Sequence, residues 1–89
     1  MTSEVADDVP LAALCLRITA ELDASALPRV LHYFQNLNFI PRRVVAECST
    51  CCELHIRVDV FGMTEQRLEA ITRRAAQLPG VLRAHWHRL

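Results

Sequence analysis

The sequence predicts an α+β domain of four strands and two helices in the order β-α-β-β-α-β. Three observations carry this. Two stretches, 11–22 and 52–61, alternate apolar and polar residues with a period of two. Two others, 23–39 and 62–80, repeat apolar residues at spacings of three and four. The chain is 89 residues long, enough for one small domain.

Residues 1–10 read as a disordered N-terminal tail ending at Pro10, and 11–89 as the folded domain. The first strand starts at "LAALCLRITAEL", with Leu14, Leu16 and Ile18 on one side and Cys15, Arg17 and Thr19 on the other. A helix follows over "DASALPRVLHYFQNLNF", with Leu27, Val30, Leu31, Phe34 and Leu37 as its apolar face. Asp23 and Ser25 can each cap it. Pro28 favours Ser25, because proline's missing N–H then falls in the first turn. Asn38 suits a left-handed C-terminal residue, and Pro41 blocks continuation. "RRVVAEC" is a second strand and "STC" a turn. "CELHIRVDVF" is the third strand, with Leu54, Ile56, Val58 and Val60 inward and Glu53, His55, Arg57 and Asp59 outward.

In the second helix Thr64 is the N-cap, Glu65 suits the helix dipole, and Met63 with Leu68 forms a hydrophobic staple. Leu68, Ile71, Ala75 and Leu78 are the buried stripe, and Pro79-Gly80 ends the helix before the last strand, "VLRAHWHRL". Each helix has a single apolar stripe, so both pack on one face of a four-stranded antiparallel sheet, the ferredoxin-like arrangement. Arg17, Glu53, His55, Arg57, Asp59, Arg83, His85 and His87 fall on the other face.

Composition narrows function. Net charge is zero, every basic residue is Arg, and no block of like charge occurs. Nucleic-acid binding needs a basic footprint and, on an open sheet of this topology, aromatic residues to stack bases; no Phe or Tyr is among the outward residues Cys15, Arg17, Thr19, His55 and Arg57 of the first and third strands. No apolar run is long enough to span a bilayer. Glu4, Asp7 and Asp8 occupy the segment where a secretory signal has a basic start and an apolar run, so a cytoplasmic location is expected. In a reducing compartment the cysteines are expected as free thiols. Hydrophobic residues make up 52% of the chain, an excess that a small body hides best in an interface.

Two clusters are candidate metal ligands. Cys48, Cys51 and Cys52 with His55 cross a hairpin turn, but the second ligand pair of a structural zinc site is missing, so free thiols at a turn are the simpler reading. His85 and His87, with His55, share the open face, where such residues are more often solvated. No paired carboxylates, Ser-His-Asp order or glycine-rich phosphate loop is present, and no cofactor is expected. The domain reads as non-enzymatic.

Leu27, Arg29 and Val30, then Phe34 and Phe39, and later Leu68, Ile71, Gln77, Leu78, Val81 and Arg83 together resemble the pattern of ACT domains. Among these the chain is most similar to the small regulatory subunits of acetohydroxyacid (acetolactate) synthase, over residues 14–88. The resemblance implies a non-catalytic homodimer, paired through the sheet, that binds and activates a large thiamine-diphosphate-dependent catalytic subunit in branched-chain amino-acid biosynthesis. It also implies an effector site at Leu22, Asp23, Ala24, Ser25, Ala26 and Ile40. The glycine and the two asparagines of valine-responsive members are replaced here by Ser25, Leu22 and Ile40. The resemblance is therefore to the short, stimulatory type, which lacks a further C-terminal domain. Two alternatives stay open: a stand-alone amino-acid sensor, and a small metal-handling protein using the cysteine hairpin.

Overall fold

A computed structural model describes residues 12–49 and 52–89. The 1–10 tail, and Thr50 and Cys51 of the hairpin turn, lie outside the described residues. Strand β1 (Ala13–Glu21) leads to helix α1 (Ala26–Asn36), then β2 (Arg43–Cys48), β3 (Glu53–Phe61), helix α2 (Glu65–Ala76) and β4 (Val81–Arg88). The sheet order is β2-β3-β1-β4 with every neighbouring pair antiparallel. This is the expected ferredoxin-like βαββαβ fold.

The two central strands carry the core. Leu14, Leu16, Ile18 and Ala20 of β1 and Leu54, Ile56, Val58 and Val60 of β3 are buried against Val30 and Phe34 of α1 and Leu68, Ile71 and Ala75 of α2. Each large side chain among them contributes about 1.5–3 kcal/mol relative to exposure.

The buried stripe of α1 is narrower than its leucine pattern implies. Ala26, Val30 and Phe34, four residues apart, face the sheet, flanked by the partly buried Leu27 and Tyr33. Leu31 is only half-buried, and Leu37 is 39% exposed. The helix stops before Leu37 can join its stripe. Asn38 N–H donates to Gln35 O at 2.9 Å and Phe39 N–H to Phe34 O at 2.9 Å, around a left-handed Asn38 with φ 53°. This is the Schellman closure, and its usual hydrophobic contact is the Phe34–Phe39 ring pair, 6.5 Å between centroids.

Helix α2 starts as its sequence indicates. The Thr64 hydroxyl accepts from Arg67 N–H at 3.1 Å, and Met63 and Leu68 are both buried. Trp86 Nε1–H donates to Glu69 Oε1 at 2.6 Å and Arg88 pairs with Glu65, so α2 is tied to β4 by side chains as well as by packing. That hydrogen bond, with a second from Arg73, holds the Glu69 carboxyl below its usual range.

Edge strand β2 is covered least. Val44, Ala46 and Cys48 point to the helix side, as their partners Val58, Ile56 and Leu54 do, yet all three are exposed. Among the described residues no helix is long and apolar enough to cross a membrane.

Candidate functional site

The loop between β1 and α1 is pinned where it leaves β1. Glu21 N–H donates to Gly80 O at 2.8 Å, and Leu22 N–H to Cys52 O at 3.2 Å. Its end is an Asx turn. Asp23 Oδ1 accepts from Ser25 N–H at 2.9 Å, and the Ser25 hydroxyl donates to Asp23 Oδ2 at 3.0 Å. These two bonds, the backbone one foremost, lower the Asp23 carboxyl below its usual value. Ser25 stands at the helical cap position but has αR geometry and makes no side-chain cap bond. The side chain that organises the turn is Asp23.

Leu22 is 55% exposed, Ala24 exposed and Ala26 buried. Ser25, Pro28, Arg29, His32, Tyr33 and Leu78 line an adjoining open groove of about 410 Å³. Ile40 is 89% exposed and lies elsewhere. It precedes Arg42, whose N–H donates to Asp59 O at the opposite end of the sheet. β1 spans roughly 25 Å between these ends, at about 3.3 Å per residue. Within one chain, therefore, Ile40 and residues 22–26 do not form a single site.

The cysteine hairpin is divided by the pleat. Cys48 pairs in register with Leu54 and lies on the helix side, whereas His55 pairs with Glu47 on the open side. Cys48 and Cys52 are exposed free thiols, and Cys51 lies outside the described residues. Cys52 holds a left-handed φ of 68°, which closes the turn without glycine. Among the described residues no group of three or more His, Cys, Asp or Glu side chains is placed to hold a metal ion.

The histidines are likewise separated. His55 lies on β3 and His85 and His87 on β4, with β1 between them. His55 Nε2 is 3.5 Å from Glu53, the His85 and His87 rings stack at 6.2 Å, and His87 Nε2 accepts from Arg17 Nε at 3.3 Å.

The open face holds a concavity of about 370 Å³, which draws residues from all four strands. Arg17, Arg57, Arg83, His55 and His85 were expected there; Arg43, Val45 and Glu47 of β2 join them. The period-two pattern of Arg43, Val45 and Glu47 was the available signal for that second group. Cys15 and Thr19 face the same way but are buried, at 0% and 9% exposure, rather than solvated. On a central strand, Cys15 is enclosed by its register partners Asp59 and His87. Burial, and then the Asp59 carboxylate hydrogen-bonded to its thiol, push Cys15 above the usual thiol range. Asp59 is itself buried and receives Arg57 Nε–H at 2.9 Å. That bond holds its carboxyl below the ordinary value against the opposing effect of burial.

No family model and no curated protein matches this sequence. Solved structures do match in shape. The C-terminal domain of the MgtC protein from Mycobacterium tuberculosis superposes with a TM-score of 0.72 at 16% identity, covering 89% of this chain and 88% of that one. The ACT domain from GTP pyrophosphokinase of Chlorobium tepidum gives a TM-score of 0.72 at 12% identity, covering 88% of this chain and 100% of that domain. An uncharacterized protein from Thermotoga maritima gives 0.71 at 17% identity, covering 90% and 99%. At these identities the likeness is one of fold, and the fold of this chain is ACT-like.

Proposed function

We propose that this domain is a non-catalytic regulatory subunit that pairs with a second copy along β2 and activates a large acetohydroxyacid synthase subunit in the cytoplasm. The observation that carries the reading is β2 itself. It is an edge strand with one side unpaired, and its helix-side residues Val44, Ala46 and Cys48 are uncovered. Such an edge is a template for another strand, and an uncovered apolar row beside it rewards the pairing. The choice of partner rests on the motif resemblance at Leu27, Arg29, Val30, Phe34 and Phe39.

Activation then follows from contacts made only with the competent state of the catalytic subunit, whose population rises by that difference in affinity. The test is reconstitution. Adding this protein to the large subunit from the same source is expected to raise the rate of acetolactate formation and to enlarge the complex on a sizing column. No change in either overturns the reading.

A second reading, an amino-acid sensor, is favoured by the position of Ile40. Antiparallel pairing of two β2 strands brings the Ile40 end of one copy beside the Leu22–Cys52 end of the other. Residues 22–26 and the partner copy's equivalent of Ile40 then border one site with apolar walls. A panel of amino acids in a thermal-shift assay separates the two readings. A ligand that raises the midpoint favours the sensor, and a flat panel favours the effector-free activator.

A further inference from the structure

We infer that the open face of the sheet binds a small molecule carrying two or more negative charges on phosphoryl groups. The chain as a whole is neutral, yet its concavity of about 370 Å³ gathers Arg17, Arg43, Arg57 and Arg83, one from each strand, against a single lining carboxylate, Glu47. The size suits a small ligand. Asp59 answers Arg57, but Arg17 and Arg83 have no carboxylate partner among the described residues: Arg17 donates to His87, and Arg83 to the Thr19 hydroxyl at 3.3 Å.

The register adds a second, independent sign. Arg17 lies directly opposite Arg57 on the paired strand, a like-charge juxtaposition that destabilises a sheet. A guanidinium fork matches phosphate oxygens in a bidentate geometry. Four arginines less Glu47 and Asp59 leave about two positive charges, which a ligand with a single carboxylate only half answers, whereas two phosphoryl groups engage arginines from several strands at once. A second copy of the chain is a poor occupant. Two-fold pairing of this face with itself brings two concavities of the same excess positive charge together.

Inorganic pyrophosphate is the probe. Titrated into the full-length, isotopically labelled protein at fixed ionic strength, it is expected to shift amide signals of β1 and β3 around Arg17 and Arg57 with saturation, half-complete near about 1 mM or below. An Arg74→Gln variant, which removes an exposed arginine from α2 on the other side of the sheet, is expected to bind as the wild type does. Arg17→Gln/Arg83→Gln is expected to weaken binding about tenfold or more, while its own melting midpoint stays level or rises as repulsion is relieved. If that pair fails to fold, Arg17→Lys replaces it, and weaker binding is again expected because the charge remains but the fork is lost. Shifts that never saturate, that chloride reproduces at the same ionic strength, or that survive these substitutions overturn the proposal. So does a response to an acidic peptide with none to pyrophosphate.

Discussion

Asp59 shows how one residue can be put on the right face by pattern and still have an environment the pattern does not reveal. Alternation puts it on the polar side of β3, where a solvated side chain is expected, yet it is 6% exposed. It is tolerated there because Arg57 donates to it and the protonated Cys15 thiol adjoins it. Its folded pKa lies below the unfolded value of about 4. The ionised group therefore adds stability that is fully present above that value and is lost as pH falls through the folded pKa. Asp59→Asn is expected to lower the melting midpoint at pH 7, and the deficit is expected to shrink progressively as pH falls below about 4 and through the folded pKa. A gap that keeps its size as pH falls means that charge is not the cause. His87 carries the same lesson in milder form: grouped in the sequence with His55 and His85, it is an acceptor for Arg17 in the fold.

At the scale of elements, the two helices differ in how they begin. Thr64 has extended geometry, and its hydroxyl caps the third N–H of α2. Ser25 has helical geometry, and its hydroxyl turns back to Asp23 instead. Thr64→Ala is thus expected to cost about 1 kcal/mol in a denaturant melt. Ser25→Ala is expected to cost less than half of that value, because no cap bond is removed. Equal losses contradict this assignment. The difference was not legible in sequence, where both stretches offer a hydroxyl residue just before an apolar run. The decisive fact is backbone dihedral geometry, which Asp23 sets through its own side chain. The C-terminus of α1 was legible, because Asn38 followed by Phe39 and Pro41 allows few other endings. Leu37 was misjudged because a period of 3.6 counts apolar residues without knowing on which one the closure falls.

For the whole molecule, the decisive feature is the mismatch between a four-stranded sheet and two helices that leave β2 uncovered. Pairing along β2 makes a direct prediction. Val44→Lys/Ala46→Lys places charges on an exposed row and is expected to leave the fold intact, while shifting light-scattering mass from dimer to monomer. A wild-type protein that is monomeric at all concentrations tested rules out this pairing.

The elements and the candidate sites rest on different kinds of sequence signal. The strand and helix assignments rest on local periodicity, and they hold because burial of β1 and β3 enforces the period. The cysteine–histidine grouping and the effector site rest on proximity along the chain or on family position. The pleat separates Cys48 from His55, and the length of β1 separates Ile40 from residues 22–26.

By itself the sequence determined the element order, the faces of the central strands and the helix ends marked by Thr64, Asn38 and Gly80. Those features follow from local sterics and from which residues prefer to leave water. Only the tertiary structure decided that four arginines from four strands share one concavity, that Cys15 and Asp59 are buried on the polar face, and that β2 is left without cover. Each of these depends on strand register and on how far two short helices extend over the sheet, and neither quantity is written in any local run of residues.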